Sequence, residues 1–319
     1  MVDVKTAVEE RYNMLFSQKA VTKRDVDPKE IISELTSKRR SYRFKILDDL
    51  GALRDKIAIR VNSGNPIKVC IIWGYGKNGF AFRKHNREWY KPDMADVFTL
   101  GVVSEMMKGV EYPLDVTLSY STARYLNANY YYLGRPPEPW LEEGLHKFAK
   151  EFERLCSKLV PSVNVHDCYK LNEKAGVDME REIRRDYVER EYSRIKGELR
   201  FMDMYSHVEK HSSNPAKSLE RYAKERIVEL SCGVPDADLS IYFSGNVFGS
   251  IRYHTTPNRR FPDIIPPWSS QGGIIAYEEG WHERMITHKR IHEMRMEGNP
   301  ESFNILGNRI SGTIYRRKF

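Results

Sequence analysis

Three groups of residues in this chain have types and spacings that could do chemistry. The first is "KVCIIWGYGKNGF", residues 68–80, where an apolar run ends in Gly74, Gly76 and Gly79, the pattern G-x-G-x-x-G. In a dinucleotide site the third glycine opens a helix whose N-terminus meets the pyrophosphate, and an acidic residue stands at the end of a second strand. Here Gly79 runs into "FAFRKHNREWYKPD", which offers no helix cap, and the next helix is expected only from Asp93. Asp93 and Asp96 then fall inside that helix and not at a strand end. The context fails, so neither a dinucleotide nor any other cofactor is expected. What remains is a tight turn at the carboxyl end of a buried strand, where open α/β sheets place their ligands. Gly74 and Gly76 are placed against the substrate there, and Tyr75, Lys77 and Asn78 project into the crevice.

The second group is Tyr222, Glu225 and Glu229, at i, i+3 and i+7 on the helix before Gly233, so that all three share one face. Glu229 lies between Val228 and Leu230 close to the helix end, where an acid opposes the macrodipole and is slightly unfavourable unless something uses it. Two strands later, Tyr253 and His254 end the alternating run "SIRYH". The bland reading, a surface acid and a half-buried tyrosine, stands beside the catalytic one. The third group is the histidine pairs His207/His211 and His288/His292, each at the i, i+4 spacing of two zinc ligands on a helix. Neither is H-E-x-x-H and no carboxylate is placed as a third ligand, so no metal is expected. Ser119, Ser121 and Ser269 form no triad pattern.

The elements that must position these groups follow from periodicity and punctuation. Residues 1–60 read as a helical N-terminal extension, with Ile32, Leu35, Phe44, Leu47, Leu50 and Leu53 near the 3.6 period and Asp27-Pro28 as cap and first turn. "NPIKVCIIW" is a central parallel strand, apolar on both faces. Helices are expected over 92–109 and 138–159, the latter with Leu141, Leu145, Phe148, Phe152, Leu155 and Leu159 inward, and a strand over 112–121 between them. Residues 161–177 read as loop, 178–211 and 215–231 as helices, "DLSIYF" and "SIRYH" as strands, and 281–297 as a last helix. Alternating strands and helices of these lengths predict an α/β fold with a mostly parallel central sheet, residues 61–319 forming one catalytic domain.

The 319 residues carry a net charge of +8, which favours a polyanionic partner. The stretch from Lys77 to Lys91 holds five Lys/Arg against one acid, whereas 180–200 holds seven basic and six acidic residues that nearly cancel. The first is the polyanion candidate; the second is a solvated helix face with i, i+4 ion pairs. No apolar run is long enough to span a membrane and the N-terminus lacks a signal-peptide core, so a cytoplasmic protein is expected. The four cysteines have no metal or disulfide spacing, and Cys70 and Cys156 read as small core residues.

Three stretches taken together resemble the cyclodipeptide synthases. "YAKERIVELSCGVPDADLSIYFSGNVFGSIRYH" is similar to their helix carrying a catalytic glutamate, followed by a strand that ends in Tyr-His. "LDVTLSYSTARYLNANYYYLGRPPEPWLEEGLHKFAKEFERLCSKL" resembles their strand, loop and long basic tRNA-receiving helix, and "VCIIWGYGKNGF" resembles their first strand and Gly-x-Ser-x-x-Asn turn. Order and spacing agree over roughly residues 65–257. The resemblance implies a Rossmann-like fold that takes two aminoacyl-tRNAs in turn and joins their amino acids into a diketopiperazine without ATP or metal. Glu229 matches the proton-moving glutamate, Tyr253 the late tyrosine and Asn78 the asparagine of the turn.

The departures are specific. The serine that accepts the first aminoacyl group falls on Tyr75, a weak nucleophile with a pKa of about 10, and no serine lies between Asn65 and Val103. The tyrosine four residues before the glutamate is Glu225, with Tyr222 one turn away. An added carboxylate resembles a divergent, arginine-using branch, because bidentate Arg–carboxylate contacts are strong and directional. Phosphate contacts for tRNA are expected from Lys77, Arg83, Lys84 and Arg87 beside the turn and from Lys147, Lys150 and Arg154 on the 138–159 helix. Two other classes stay open: an enzyme resembling the isonitrile synthases, acting on a free amino acid, and a non-enzymatic RNA-binding protein.

Overall fold

The computed structural model describes residues 3–17, 25–36, 42–46, 50–72, 94–120, 139–167, 176–201, 208–209, 212–232, 237–243, 251–255, 270–277, 280–287, 301–305 and 310–316. The N-terminal third gives α1 (Val4–Ser17), α2 (Pro28–Leu35), β1 (Tyr42–Ile46) and α3 (Leu50–Asn62). Asp27 caps α2 as expected: its carboxylate accepts from Lys29 N at 2.8 Å and Pro28 opens the first turn. Tyr42–Ile46, expected to be helical, is instead a strand. Tyr42, Phe44 and Ile46 alternate with Arg43 and Lys45, and pairing along β6 favours that two-residue period over the helical one.

The central sheet is β2 (Ile67–Ile72), β3 (Leu114–Tyr120), β4 (Asn164–Asp167), β5 (Leu239–Phe243) and β6 (Ile251–Thr255), with α4 (Met94–Gly109) joining β2 to β3 and α5 (Pro139–Leu159) joining β3 to β4. Strand order is β1-β6-β5-β2-β3-β4, all parallel except the β1 edge. From β2 the chain steps outward through β3 to β4, then returns to lay β5 on the other side of β2. This is a Rossmann-like α/β fold. β4 lies inside the stretch expected to be loop; four residues give too short an alternation to signal a strand, and parallel pairing with β3 supplies what local pattern lacks.

Between β4 and β5 the expected long helix is broken into α6 (Met179–Glu182), α7 (Asp186–Ile195) and a 3₁₀ turn (Lys196–Phe201), followed by α8 (Pro215–Cys232). Asp178 caps α6 through Glu180 N and Arg181 N, a local side-chain bond that starts a new helix where a continuous one was expected. The C-terminal region forms a second sheet from β7 (Ser270–Tyr277), β8 (Gly280–Thr287), β9 (Glu301–Ile305) and β10 (Ile310–Arg316), in the order β8-β7-β10-β9. It packs against α1 and α4. The helix expected over 281–297 is therefore wrong for its first turns. β7 and β8 pair antiparallel with Tyr277 facing Gly280, and cross-strand pairing overrides the helical preference of "HERM".

One hydrophobic cluster joins α1 to α5 with the sheet and contains Tyr12, Ile31, Leu35, Ile57, Phe152 and Cys156. Inside it, β2 contributes Ile67, Val69 and Ile71, β3 contributes Val116 and Leu118, and β5 contributes Leu239 and Ile241. A separate cluster, including Val188, Ile195, Tyr222 and Ile227, belongs to α7, α8 and the turns around them. Cys70 and Cys156 are buried free thiols, as their sequence settings implied, and burial pushes Cys70 up to about 12.

The amino ends of β2 and β5 are locked by one carboxylate. Asp238 accepts from Lys68 N at 2.8 Å and from Arg60 Nε of α3 at 2.9 and 2.8 Å, while its own N–H donates to the Lys68 carbonyl at 2.9 Å. Replacing Asp238 with Ala is expected to cost about 2–3 kcal/mol, with D238N costing less because one acceptor survives. A urea unfolding midpoint for D238A equal to that of the wild type would refute the pin.

Candidate functional site

Strand order reverses at β2, so the crevice of the fold opens beyond the carboxyl ends of β2 and β5. At that edge Ile72 is flanked by Ser119 of β3 and Tyr242 of β5, and Phe243 is paired with Tyr253 of β6. Tyr253 thus sits at the same edge as the end of β2, two strands away, or about 10 Å at ordinary strand spacing. The turn residues Gly74, Tyr75, Gly76, Lys77 and Asn78, and the basic residues Arg83, Lys84 and Arg87, lie outside the described residues. His207, His211, His288 and His292 also lie outside them. Among the described residues no cluster of His, Cys, Asp and Glu has the makings of a metal site.

Glu229 occupies the last turn of α8, which ends at Cys232 and leads to Asp238 at the amino end of β5. The backbone therefore carries position 229 towards the edge opposite Tyr253. Tyr222 and Glu225, sharing its helical stripe, are buried in the layer that α8 forms with α6, α7 and the 3₁₀ turn. Glu225, 5% exposed, accepts from Arg221 Nε at 2.6 Å. Arg221 also donates to both carboxylate oxygens of Glu180, at 2.9 Å to one of them, and these bonds hold the Glu180 carboxyl below its usual range. Beside them Lys224 pairs with Glu189 and Glu220 and lies 5.2 Å from the centre of the Tyr192 ring. The carboxylate expected to receive a cationic substrate group is thus already met by an arginine of its own helix.

On α5, Ala149, Phe152, Leu155, Cys156 and Leu159 face the core, and Lys147, Lys150 and Arg154 are exposed. Arg154 is paired with Glu151 at 2.7 Å, which offsets part of its charge. Exposed basic side chains therefore stand on this helix at the three positions named from the sequence.

Sequence reasoning passed over Asp238 and the Arg221–Glu180 link. Asp238 directly precedes the first strand residue in "PDADLS", a position that marks it as a strand-start acceptor; the ion pair joins helices 41 positions apart and leaves no local trace.

No protein-family model and no curated protein matches the chain, so its resemblance to cyclodipeptide synthases rests on its motifs. Among solved structures it is similar to the PvcA protein from Pseudomonas aeruginosa, with a TM-score of 0.45 at 14% identity, covering 92% of this chain and 100% of that one. A likeness of that size assigns no activity.

Removing the guanidinium from the Glu225 pair while the acid stays buried is the costly change. R221M is expected to lose about 3 kcal/mol, and E225Q about 1. Equal losses for the two in denaturant titrations would show that the pair does not hold this helical layer.

Proposed function

We propose that the protein is a cyclodipeptide synthase that takes two aminoacyl groups in turn from aminoacyl-tRNAs. The observation that carries this reading is the chain order of the sheet, which brings the strand before the glycine turn and Tyr253 to one carboxyl edge, in the sequence order that the three motifs share with that family. The exposed basic face of α5 adds a track for the phosphates of tRNA.

The ester linking amino acid to tRNA is already activated, so the protein has to position an amine against it and manage protons. The amine of one aminoacyl group attacks the carbonyl carbon of the other, forming an amide as the first ester breaks and a tRNA hydroxyl leaves with a proton. The second amine then attacks the remaining ester and closes the ring. Two esters are broken, two amides are made and two tRNA hydroxyls are released. In this reading Glu229 is the proton carrier on its motif match alone, since its helix runs towards the opposite edge of the sheet, while Tyr253 and Asn78 orient the reacting groups and Tyr75 holds or accepts the first aminoacyl group. With Glu225 held by Arg221, arginine loses the residue that singled it out, and the product itself names the amino acids.

Mass spectrometry of medium from bacteria expressing the wild type should show a cyclic dipeptide that E229A lowers by at least a hundredfold, within the range for loss of a general acid–base group. A soluble wild type yielding no such product would shift the assignment to an enzyme using free amino acids or to an RNA-binding protein. Reversing charge at Lys147 and Lys150 together should weaken aminoacyl-tRNA binding and reduce the slope of log K against log salt by about 2. An unchanged slope in filter binding would remove α5 from the tRNA track.

A further inference from the structure

Along the sequence, the charges of residues 180–200 nearly cancel. On the surface of the folded chain they do not. Glu180 and Glu189 turn to Arg221 and Lys224 of α8, cations from outside the stretch. Glu182 and Glu191 are taken by Arg185 and Arg194. Arg181, Arg184, Arg190 and Lys196 remain, all of them exposed and none in an ion pair among the described residues. Arg184 acts on the Glu180 carboxyl, which its bond to Arg221 chiefly lowers, only as a nearby charge. Asp186 is the acid left without an ion pair among the described side chains of the stretch, and it sits in the first turn of α7, where the helix dipole favours it.

α7 turns Val188 and Ile195 into the smaller hydrophobic cluster. Arg190 and Arg194 lie one turn apart on the other side of the helix, with Arg184 just before its start and Lys196 just after its end. A helix of this length measures about 15 Å, so the cations are spread along roughly that distance. Arginines suit phosphate, since a guanidinium forks onto two oxygens at once. An anionic membrane would also attract cations, but an interfacial helix needs an exposed apolar face. The exposed large hydrophobic residues among those described, Met14, Leu50 and Ile59, lie on α1 and α3. α5 packs in the main cluster, whereas α7 belongs to the smaller one, so this face is no extension of the basic helix described above.

We propose that the outer face of α6 and α7, through Arg181, Arg184, Arg190 and Lys196, is a second contact for the phosphate backbone of RNA, separate from α5. It rests on the synthase reading only for naming that RNA as aminoacyl-tRNA.

The test uses the full-length chain, an R184Q/R190Q/K196Q variant and a charge-keeping R184K/R190K variant, with fluorescence anisotropy of labelled, unacylated tRNA across a salt series. Each phosphate contact carries a slope of about 0.7–0.9 in log K against log salt, so the glutamines are expected to reduce the slope by about 2–3 and to weaken binding at low salt roughly tenfold or more. The lysine variant should keep the wild-type slope. Both should unfold at the wild-type temperature, because neither change breaks an ion pair among the described residues.

An unchanged slope in the glutamine variant, no tRNA binding by the wild type, or a glutamine variant that does not fold would overturn the proposal. So would binding to phosphatidylserine vesicles that falls with these substitutions while tRNA binding stays the same. The expected tRNA results in a protein that makes no cyclic dipeptide would sustain the surface and sink the synthase reading alone.

Discussion

The architecture depends on β2 having a parallel neighbour on each side, one supplied by the chain just after it and the other by chain that returns much later. Hydrogen bonds between strands do not by themselves choose which returning strand fills the second place. Asp238 does, by closing a two-way bond with Lys68 as β5 begins and by taking the Arg60 guanidinium from α3. An ionised acceptor meeting a backbone N–H and an arginine at once is stronger than a neutral ladder bond and fixes register as well. With the amino ends aligned, the carboxyl ends of β2, β5 and β6 are level, and the crevice has its floor.

The molecule carries two hydrophobic clusters of different construction. The larger is made of long-range contacts between helices and sheet, and its aliphatic residues alternate along β2, β3 and β5. The smaller is a helical layer whose apolar residues are supplemented by the Glu180–Arg221–Glu225 and Lys224 pairs. Charges placed between helices orient them while contributing little net energy when exposed. Such a layer can hold a definite arrangement without having to share an apolar seam with the sheet.

The legible parts of the fold were those where a single period dominates. "KVCII", "DVTLSY" and the inward stripe of α5 each announced its element, and Asp27-Pro28 announced a helix start. The misread parts were strands whose identity comes from a pairing partner: Tyr42–Ile46 against the distant β6, Asn164–Asp167 against β3 and Gly280–Thr287 against its hairpin neighbour β7. Their local composition, rich in Arg, Lys, Glu and His, suits a helix or loop equally well, and only pairing decides. At the site, the spacing of Tyr222 and Glu225 correctly placed them on one face, but spacing carries no information about Arg221 turning back to meet Glu225.

The antiparallel edge of the sheet has a consequence for biosynthesis. β1 has as its only pairing partner among the described strands β6, roughly 200 positions later, a closure whose entropic cost grows only slowly with loop length. During translation the apolar alternation of β1 has no sheet to join until β2 and β5 are in place and β6 has emerged. The nascent chain must carry an unsatisfied strand until those positions have been synthesised, which makes this segment the natural point of engagement for a holding chaperone.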